Sequence, residues 1–289
     1  MKFTESRKWS FVAVFLIYVL AGSVAIIVYP FLPFEPWLSL LIGDALATII
    51  TFVFSLIFKN ASVYDPYWSV QPIVIVWAYM IAENNFSIVV LIPAIVISIW
   101  GIRLTANWAY TFHGLTHQDW RYTMLKETTG AFYPIINFIG IHMVPTVIVY
   151  AVTLPIVTLI TNLVEFNFWA VIPIVVSLLA VFMQGTADVQ MHKFRKAKTG
   201  GFIRVGLWKY SRHPNYLGEI LMWWGIGAYA VVVMPTAWYL IIGAVLNTVL
   251  FLSVSIPMAD RRQSRKDGFN EYKMATRMLL PIKKSVKQL

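Results

Sequence analysis

The chain has 289 residues, 59% of them hydrophobic and 12% charged, with a mean hydropathy of +0.70. Soluble domains average about 25% charged residues, so a water-soluble globule is excluded. The absence of cysteine removes disulfides, thiol catalysis and thiolate metal sites, and the net charge of +10 is interleaved with apolar runs rather than gathered in a basic module for nucleic acid.

A helix needs about 20 apolar residues to cross a bilayer. Eight such runs are predicted: about Ser10 to Val28, Trp37 to Phe58, Trp68 to Ala82, Phe86 to Tyr110, Ala131 to Ile160, Trp169 to Gln190, Tyr216 to Val233 and Ala237 to Ile256. The third is short, so seven spans is the other count. Tyr29-Pro30, Pro33, Pro36, the Glu83-Asn84-Asn85 triplet and Met234-Pro235-Thr236 supply the turns. The first run lacks a small-residue cleavage signature and reads as a retained span. The fold class is therefore all-α, a polytopic transmembrane bundle forming one integral domain over residues 1–289. Its two amino-terminal spans (1–58) carry no motif, and its core runs over 60–285.

Charge placement agrees with eight spans. Lys2, Arg7 and Lys8 precede the first span, Lys59 follows the second, and Arg103, Arg121 and Lys126 lie at or after the inner end of the fourth. The remaining Lys and Arg residues fall between spans six and seven or after span eight, including the Lys283-Lys284-Ser285-Val286-Lys287 tail, which suits anionic lipid headgroups. The opposite loops carry Glu35, Glu83 and Glu165 and no base. Positive residues collect on the cytoplasmic side, which places both termini there.

Polar residues concentrate between Gln184 and Glu219. Gln184, Asp188, His192 and Arg195 follow one another at intervals of 4, 4 and 3, which keeps them on one helix face. Asp188 there meets either a ligand or an internal base such as Arg195. The glycine-bearing loop from Thr199 through Arg204 to Tyr210 could approach a phosphate. It leads into Ser211-Arg212-His213-Pro214-Asn215-Tyr216-Leu217-Gly218-Glu219, where Pro214 starts a helix whose first amides favour anions. Asn215 and Glu219 face the same way; a capped helix with a paired glutamate is the plain alternative. Elsewhere, Asp44 is either a buried hydrogen-bonded residue or part of an entrance. Arg103 and Asn107 suit a snorkelling helix end or a phosphate contact, and His142 reads as structural. The His113 and His117 pair lacks a third ligand, so no metal site is expected.

This constellation resembles the steroid 5α-reductase C-terminal-like (DUF1295-type) family of membrane reductases, whose bacterial members carry much the same Ser-Arg-His-Pro-Asn-Tyr-x-Gly-Glu run. The likeness continues through Thr186-Ala187-Asp188-Val189-Gln190, Trp223-Trp224-Gly225, Phe269-Asn270-Glu271-Tyr272 and Leu279-Leu280-Pro281. On the amino-terminal side it includes Tyr64-Asp65-Pro66-Tyr67-Trp68-Ser69 and Gln118-Asp119-Trp120-Arg121-Tyr122. It implies an NADPH-dependent reductase of the C=C bond of a lipophilic enone, a 3-oxo-Δ4 steroid first among them. Asp188, Arg195, Asn215 and Glu219 become cofactor contacts, joined by Gln184, His192, Arg204, Tyr210, Arg212, His213, Tyr216 and Tyr272.

Steroid reductases polarise the substrate carbonyl with an acid on an early helix and a tyrosine on the next. The resemblance puts Asp65 in the acid's place, with Gln71 as a neutral substitute. Trp100 falls where the tyrosine is expected, and Tyr67 is the nearer phenol. Asp65 is equally well read as a cap in an Asp-Pro turn. The isoprenylcysteine and phospholipid methyltransferases share the Arg-His-Pro-x-Tyr-x-Gly core but usually end in a Glu-Glu pair, where this chain has Asp260-Arg261-Arg262. The alternative activity is thus an S-adenosylmethionine-dependent lipid or isoprenylcysteine-type methyltransferase. A transporter or lipid-binding protein using Asp44 and Asp188 is a third reading. Expected partners are a lipophilic small molecule and membrane lipids, with no nucleic acid and no obligate protein partner. The cofactor site is expected to face the cytoplasm, across a bacterial inner membrane or the endoplasmic reticulum.

Overall fold

The structure, a computed structural model, describes residues 5–198 and 200–282. Lys2, Thr199, Lys283, Lys284 and Lys287 lie outside the described residues. Among those described there is no named strand, only one isolated bridge between Ser211 and Arg277. The chain divides into two compact units, Met1–Val164 and Glu165–Leu289.

The first unit begins with α1 (Arg7–Val28), α2 (Pro36–Ile57), α3 (Tyr67–Ala82) and α4 (Ile88–Thr111). It then passes through α5 (Trp120–Thr129), the single turn α6 (Tyr133–Ile135) and a π-helical stretch, Ile136–Met143, into α7 (Val144–Thr161). Local chemistry sets these ends. Ser6 caps α1 by accepting from the Trp9 amide, Pro36 starts α2 without wasting an amide, and Asp119 caps α5 through the Arg121 amide. Asn60 holds the α2–α3 connection by donating to the carbonyls of Leu115 (2.6 Å) and His117 (3.1 Å). Helices α3 and α4 approach closely at Gly101, where a Cβ would fall 2.4 Å from the Ser69 carbonyl. Hydroxyls tie the interior together: Thr146 on α7 meets Thr48 on α2 at 2.9 Å and Tyr64 at 2.8 Å.

The second unit contains α8 (Val171–Lys196), α9 (Pro214–Val233), α10 (Ile242–Leu250), a π-helical stretch over Phe251–Ser255, α11 (Ile256–Gln263) and α12 (Phe269–Ala275). Its centre is the antiparallel pair α8–α9. Small residues let the two backbones approach: a Cβ on Gly218 would lie 2.7 Å from the Ala180 carbonyl, and one on Gly225 2.1 Å from Ser177 Oγ and 2.7 Å from the Pro173 carbonyl. Ser177 also donates to the Met222 carbonyl at 3.0 Å. The loop after α8 folds back on it, with the Trp208 indole donating to the Ala187 carbonyl (3.1 Å) and the Leu207 amide to Gln190 Oε1 (2.9 Å).

Seven helical segments among the described residues are long and apolar enough to cross a membrane: Arg7–Phe31, Pro36–Ile57, Ile88–Thr111, Trp120–Thr161, Phe168–Lys196, Pro214–Val233 and Pro235–Gln263. They correspond to seven of the eight expected spans. The remaining one, α3, is helical with 16 residues, about 24 Å at 1.5 Å per residue, short of the roughly 30 Å of a hydrocarbon core. The close approach of α8 and α9 rests on Gly218 and Gly225. Gly225→Val should therefore lower stability by at least about 2 kcal/mol through overpacking, seen as a reduced unfolding temperature of the purified protein. Unchanged stability would mean that α8 and α9 can separate without loss.

Candidate functional site

In the second unit the expected residues sort into three groups. Gln184 and Glu219 meet on the α8–α9 seam: Gln184 Nε2 donates to Glu219 Oε2 at 2.7 Å, and the Trp223 indole donates to Glu219 Oε1 at 2.9 Å. Both Gln184 and Glu219 are buried, so the carboxyl group is held by neutral donors inside the helix pair. Asp188 and His192 continue along the same face, half-buried, with Asp188 and Arg195 as the charged neighbours of His192. Burial decreases from Gln184 to the exposed Arg195, as the predicted stripe requires.

Arg212 and His213 form the second group around a residue that the sequence did not single out as a site. Asp260 on α11 accepts from Arg212 Nη2 at 2.9 Å and Nε at 3.4 Å, and lies 2.9 Å from His213 Nε2. Arg212 Nη1 also donates to the Thr276 carbonyl at 2.8 Å. These side chains are buried, and removing one member of such a pair typically costs about 3–5 kcal/mol. The arginine and histidine of the Ser-Arg-His-Pro run therefore brace the fold. Tyr216 stacks on His213, with centroids 5.3 Å apart and planes 3° from parallel. The sequence signal for Asp260 was an acid directly before two arginines at the end of the last span, with a buried arginine elsewhere in need of a partner.

The third group is peripheral. Exposed Arg204 lies over the Phe202 ring at 4.3 Å and donates to the Gly268 carbonyl at 3.0 Å. Tyr210 is exposed beside Lys209. Tyr272 is buried and donates to the Trp208 carbonyl; burial pushes its phenol up to about 12, so it stays neutral. Asn215 differs from all of these, because its Oδ1 is buried without a hydrogen-bond partner. Such an acceptor fits a donor from a bound carboxamide or ribose hydroxyl. Arg195, Lys196 and Arg204 in the same segment are exposed.

The first unit holds a separate polar corner. Asp44 on α2 is buried. Its Oδ1 accepts from the Tyr67 hydroxyl at 2.8 Å, and its Oδ2 accepts from Gln71 Nε2 on the next turn of α3. The three side chains line a cavity of about 160 Å³ whose other walls are mostly apolar, with Gly22 and Ala25 on α1 and Gly43 on α2 among them. Gln71 Oε1 is buried without a partner.

Of the expected catalytic residues, Tyr67 and Gln71 thus come together with Asp44, while Asp65 is directed elsewhere. Asp65 accepts from the Tyr122 hydroxyl at 2.6 Å, has Arg121 at 4.0 Å, and does not line the cavity. Trp100 is buried against Trp68, with centroids 6.1 Å apart, and is likewise absent from the cavity wall. His142 is fully buried in the π-helical stretch, its Nδ1 2.9 Å from the Asn137 carbonyl. Among the described residues no group of three or more His, Cys, Asp or Glu side chains could hold a metal.

Fold and sites together define a helical integral membrane protein with buried carboxyl groups in both units. The chain belongs to the DUF1295 family, described as proteins of unknown function, whose pattern matches residues 51–276; this membrane family is related to steroid 5α-reductases and isoprenylcysteine methyltransferases. The match includes Tyr67, Gln71, Glu219 and Asp260 and begins after Asp44. An uncharacterized protein of Schizosaccharomyces pombe is 24% identical over 193 residues, 57% of this chain and 56% of the relative. Methanethiol S-methyltransferase 1 of Bradyrhizobium diazoefficiens is 35% identical over 80 residues, 28% of this chain and 26% of that enzyme. The alignments span about half of the first relative and a quarter of the second. No solved structure matches.

Asp65 has a consequence for stability. Burial, opposed by Arg121, raises its carboxyl from 3.8 to about 6, so the folded state holds this proton more tightly than the unfolded chain. The resulting stabilisation is complete below about pH 4 and is lost as pH rises through 6, a change of up to about 3 kcal/mol. Asp65→Asn keeps an acceptor for Tyr122 and abolishes the titration. Unfolding measured from pH 4 to pH 7.5 should show a flatter profile for the variant; an unchanged profile would contradict this assignment.

Proposed function

We propose that the protein is a membrane-embedded, NADPH-dependent reductase of the C=C bond of a lipophilic enone, with the dinucleotide held on the cytoplasmic side. The observation that carries this reading is the Asp44–Tyr67–Gln71 corner on the wall of an otherwise apolar cavity. Reduction of an enone drives negative charge onto the carbonyl oxygen, and a phenol backed by a carboxyl group is suited to receive it. In this reading the Tyr67 hydroxyl, which donates to Asp44 Oδ1 in the structure, turns to the carbonyl oxygen and passes its proton there as charge develops, and Asp44 then relays a replacement proton to the phenolate. Gln71 fixes the orientation of Asp44. An acid on one helix and a tyrosine on the next is the arrangement implied by the steroid reductase resemblance, with Asp44 in the place first given to Asp65. A 3-oxo-Δ4 steroid is the reference substrate that this resemblance supplies.

Bound NADPH would supply the hydride. Asn215, through its unpartnered Oδ1, and the stripe of Gln184, Asp188, His192 and Arg195 with Glu219 are the residues proposed to hold it, and the exposed bases Lys196 and Arg204 would meet its phosphates. Arg212, His213 and Tyr272 support the fold beneath that segment.

The stretch shared with a methanethiol S-methyltransferase favours a second reading, methyl transfer from S-adenosylmethionine. Methylation of a thiol builds no charge on a carbonyl oxygen and leaves the Asp44–Tyr67 pair without a chemical role. Thermal-shift titration of the purified protein separates the two. Stabilisation by NADPH and not by S-adenosylmethionine is expected, and the reverse would sink the reductase. Asn215→Ala should weaken NADPH binding about tenfold. Tyr67→Phe and Asp44→Asn should lower kcat by about 10²-fold or more with NADPH affinity retained.

A further inference from the structure

The cavity beside Asp44 has a shape that bears on what it takes. Its walls are α1, α2 and α3, and tyrosine pairs close both ends. Tyr18 and Tyr67 meet edge-on at 5.6 Å at one end, and Tyr29 and Tyr79 at 6.3 Å at the other. The eleven residues of helical rise between Tyr18 and Tyr29 set a length of about 17 Å. A volume of about 160 Å³ spread over that length describes a narrow slot, roughly half the smallest volume usual for drug-sized ligands, about 300 Å³. The side between α1 and α3 is open: Ile26 and Val74 both line the slot and are 56% and 41% exposed.

Polarity is unevenly placed along the slot. Tyr67 stands at the Tyr18 end, with Asp44 and Gln71 nearer mid-length, where Gly43 beside Asp44 packs on Ala25; Gln71 Oε1 is a buried acceptor that no protein donor fills. Beyond them Ala25, Val74, Ile75 and Ala78 make an aliphatic stretch, and Ser39 and the Tyr79 hydroxyl, also buried without a partner, line the slot toward Tyr29. Gly22 sits along the α1 wall, and a Cβ there would meet nothing within 4 Å. Its missing side chain therefore belongs to the free space of the slot.

We propose that this slot takes a single-chain lipid with an oxygenated head, entering from the bilayer between α1 and α3, and that Gly22 sets its width. The head lies at the Asp44–Tyr67–Gln71 cluster, where a carbonyl meets Tyr67 and a neighbouring hydroxyl can donate to Gln71 Oε1. The chain runs toward Tyr29 and Tyr79. At ~1.2 Å per bond for an extended chain, about 17 Å holds about a dozen chain atoms. A volume this small over that length suits an extended chain better than a fused four-ring skeleton. The substrate class proposed here rests on the reductase reading, whereas the occupancy of the slot does not.

The test uses the full-length protein with three probes: a linear twelve-carbon enone, the same enone bearing a hydroxyl beside the carbonyl, and a 3-oxo-Δ4 steroid. Binding is read by thermal shift without cofactor, and reduction by NADPH consumption. The linear probes should bind at least tenfold more tightly than the steroid, the hydroxylated one most tightly. Gly22→Leu should reduce linear-probe binding at least tenfold while its own unfolding temperature stays at or above that of the parent; Gly22→Ala should bind nearly as the parent does. Tighter binding of the steroid, or full binding of the linear probes by a folded Gly22→Leu protein, would overturn the proposal. Tight linear-probe binding with no NADPH consumption would sink the reductase reading alone, and rapid reduction of the steroid but not the linear enones would sink the slot assignment alone.

Discussion

A carboxyl group inside a bilayer-spanning bundle must find hydrogen-bond partners on the spot, because neither lipid nor an apolar core can solvate it. Asp44 meets that demand with Tyr67 and Gln71, both on α3. This one requirement sets much of the first unit. It fixes α3 against α2 at the turn that carries Tyr67 and Gln71, and it turns the Tyr67 ring so that Tyr64 stacks on it with centroids 5.3 Å apart. Tyr64 in turn reaches Thr146, and Thr146 reaches Thr48, two further residues with almost no exposure. The cavity borders this polar corner on one side and small residues of α1 on the other. A short α3 follows naturally, since its placement comes from hydrogen bonds and packing rather than from the length of its apolar run.

The same rule organises the second unit around two acids with different partners. Glu219 is held by the neutral groups of Gln184 and Trp223, and Asp260 by the guanidinium of Arg212 and the imidazole of His213. The basic segment is thereby divided. Arg212 serves the interior, whereas Arg195, Lys196 and Arg204 stay exposed. A positive charge on the chain is thus neither purely a topology signal nor purely a ligand clamp; burial decides which.

Apolar runs made the long helices legible in the sequence, and Pro214 after Ser-Arg-His marked the start of α9 correctly. The helical spacing of Gln184 and its neighbours identified a real stripe. Asp65 drew attention because it sits in a motif, but its carboxyl turns to Tyr122, a partner 57 residues away that no local pattern reveals. Asp44 stood out as an acid in an apolar span, yet its role depended on knowing which face of α3 it meets. Asp260 was hidden for the same reason: ion pairs across 48 residues are a property of packing, not of spacing. The division of the chain near Val164 has no composition shift to announce it, since both units are built from the same apolar helices.

The proposed chemistry is hydride delivery to an enone whose carbonyl is polarised at the Asp44–Tyr67 corner. The most direct measurement is isotope transfer with purified protein, NADPH deuterated at C4 of the nicotinamide, and an enone in ordinary water. Hydride delivery from a cofactor carrying deuterium at both C4 positions would leave one deuterium at the β-carbon of the saturated product and a solvent-derived hydrogen at the α-carbon. Absence of deuterium from the enone, with a methyl group appearing instead on a thiol or lipid acceptor when S-adenosylmethionine is supplied, would contradict it.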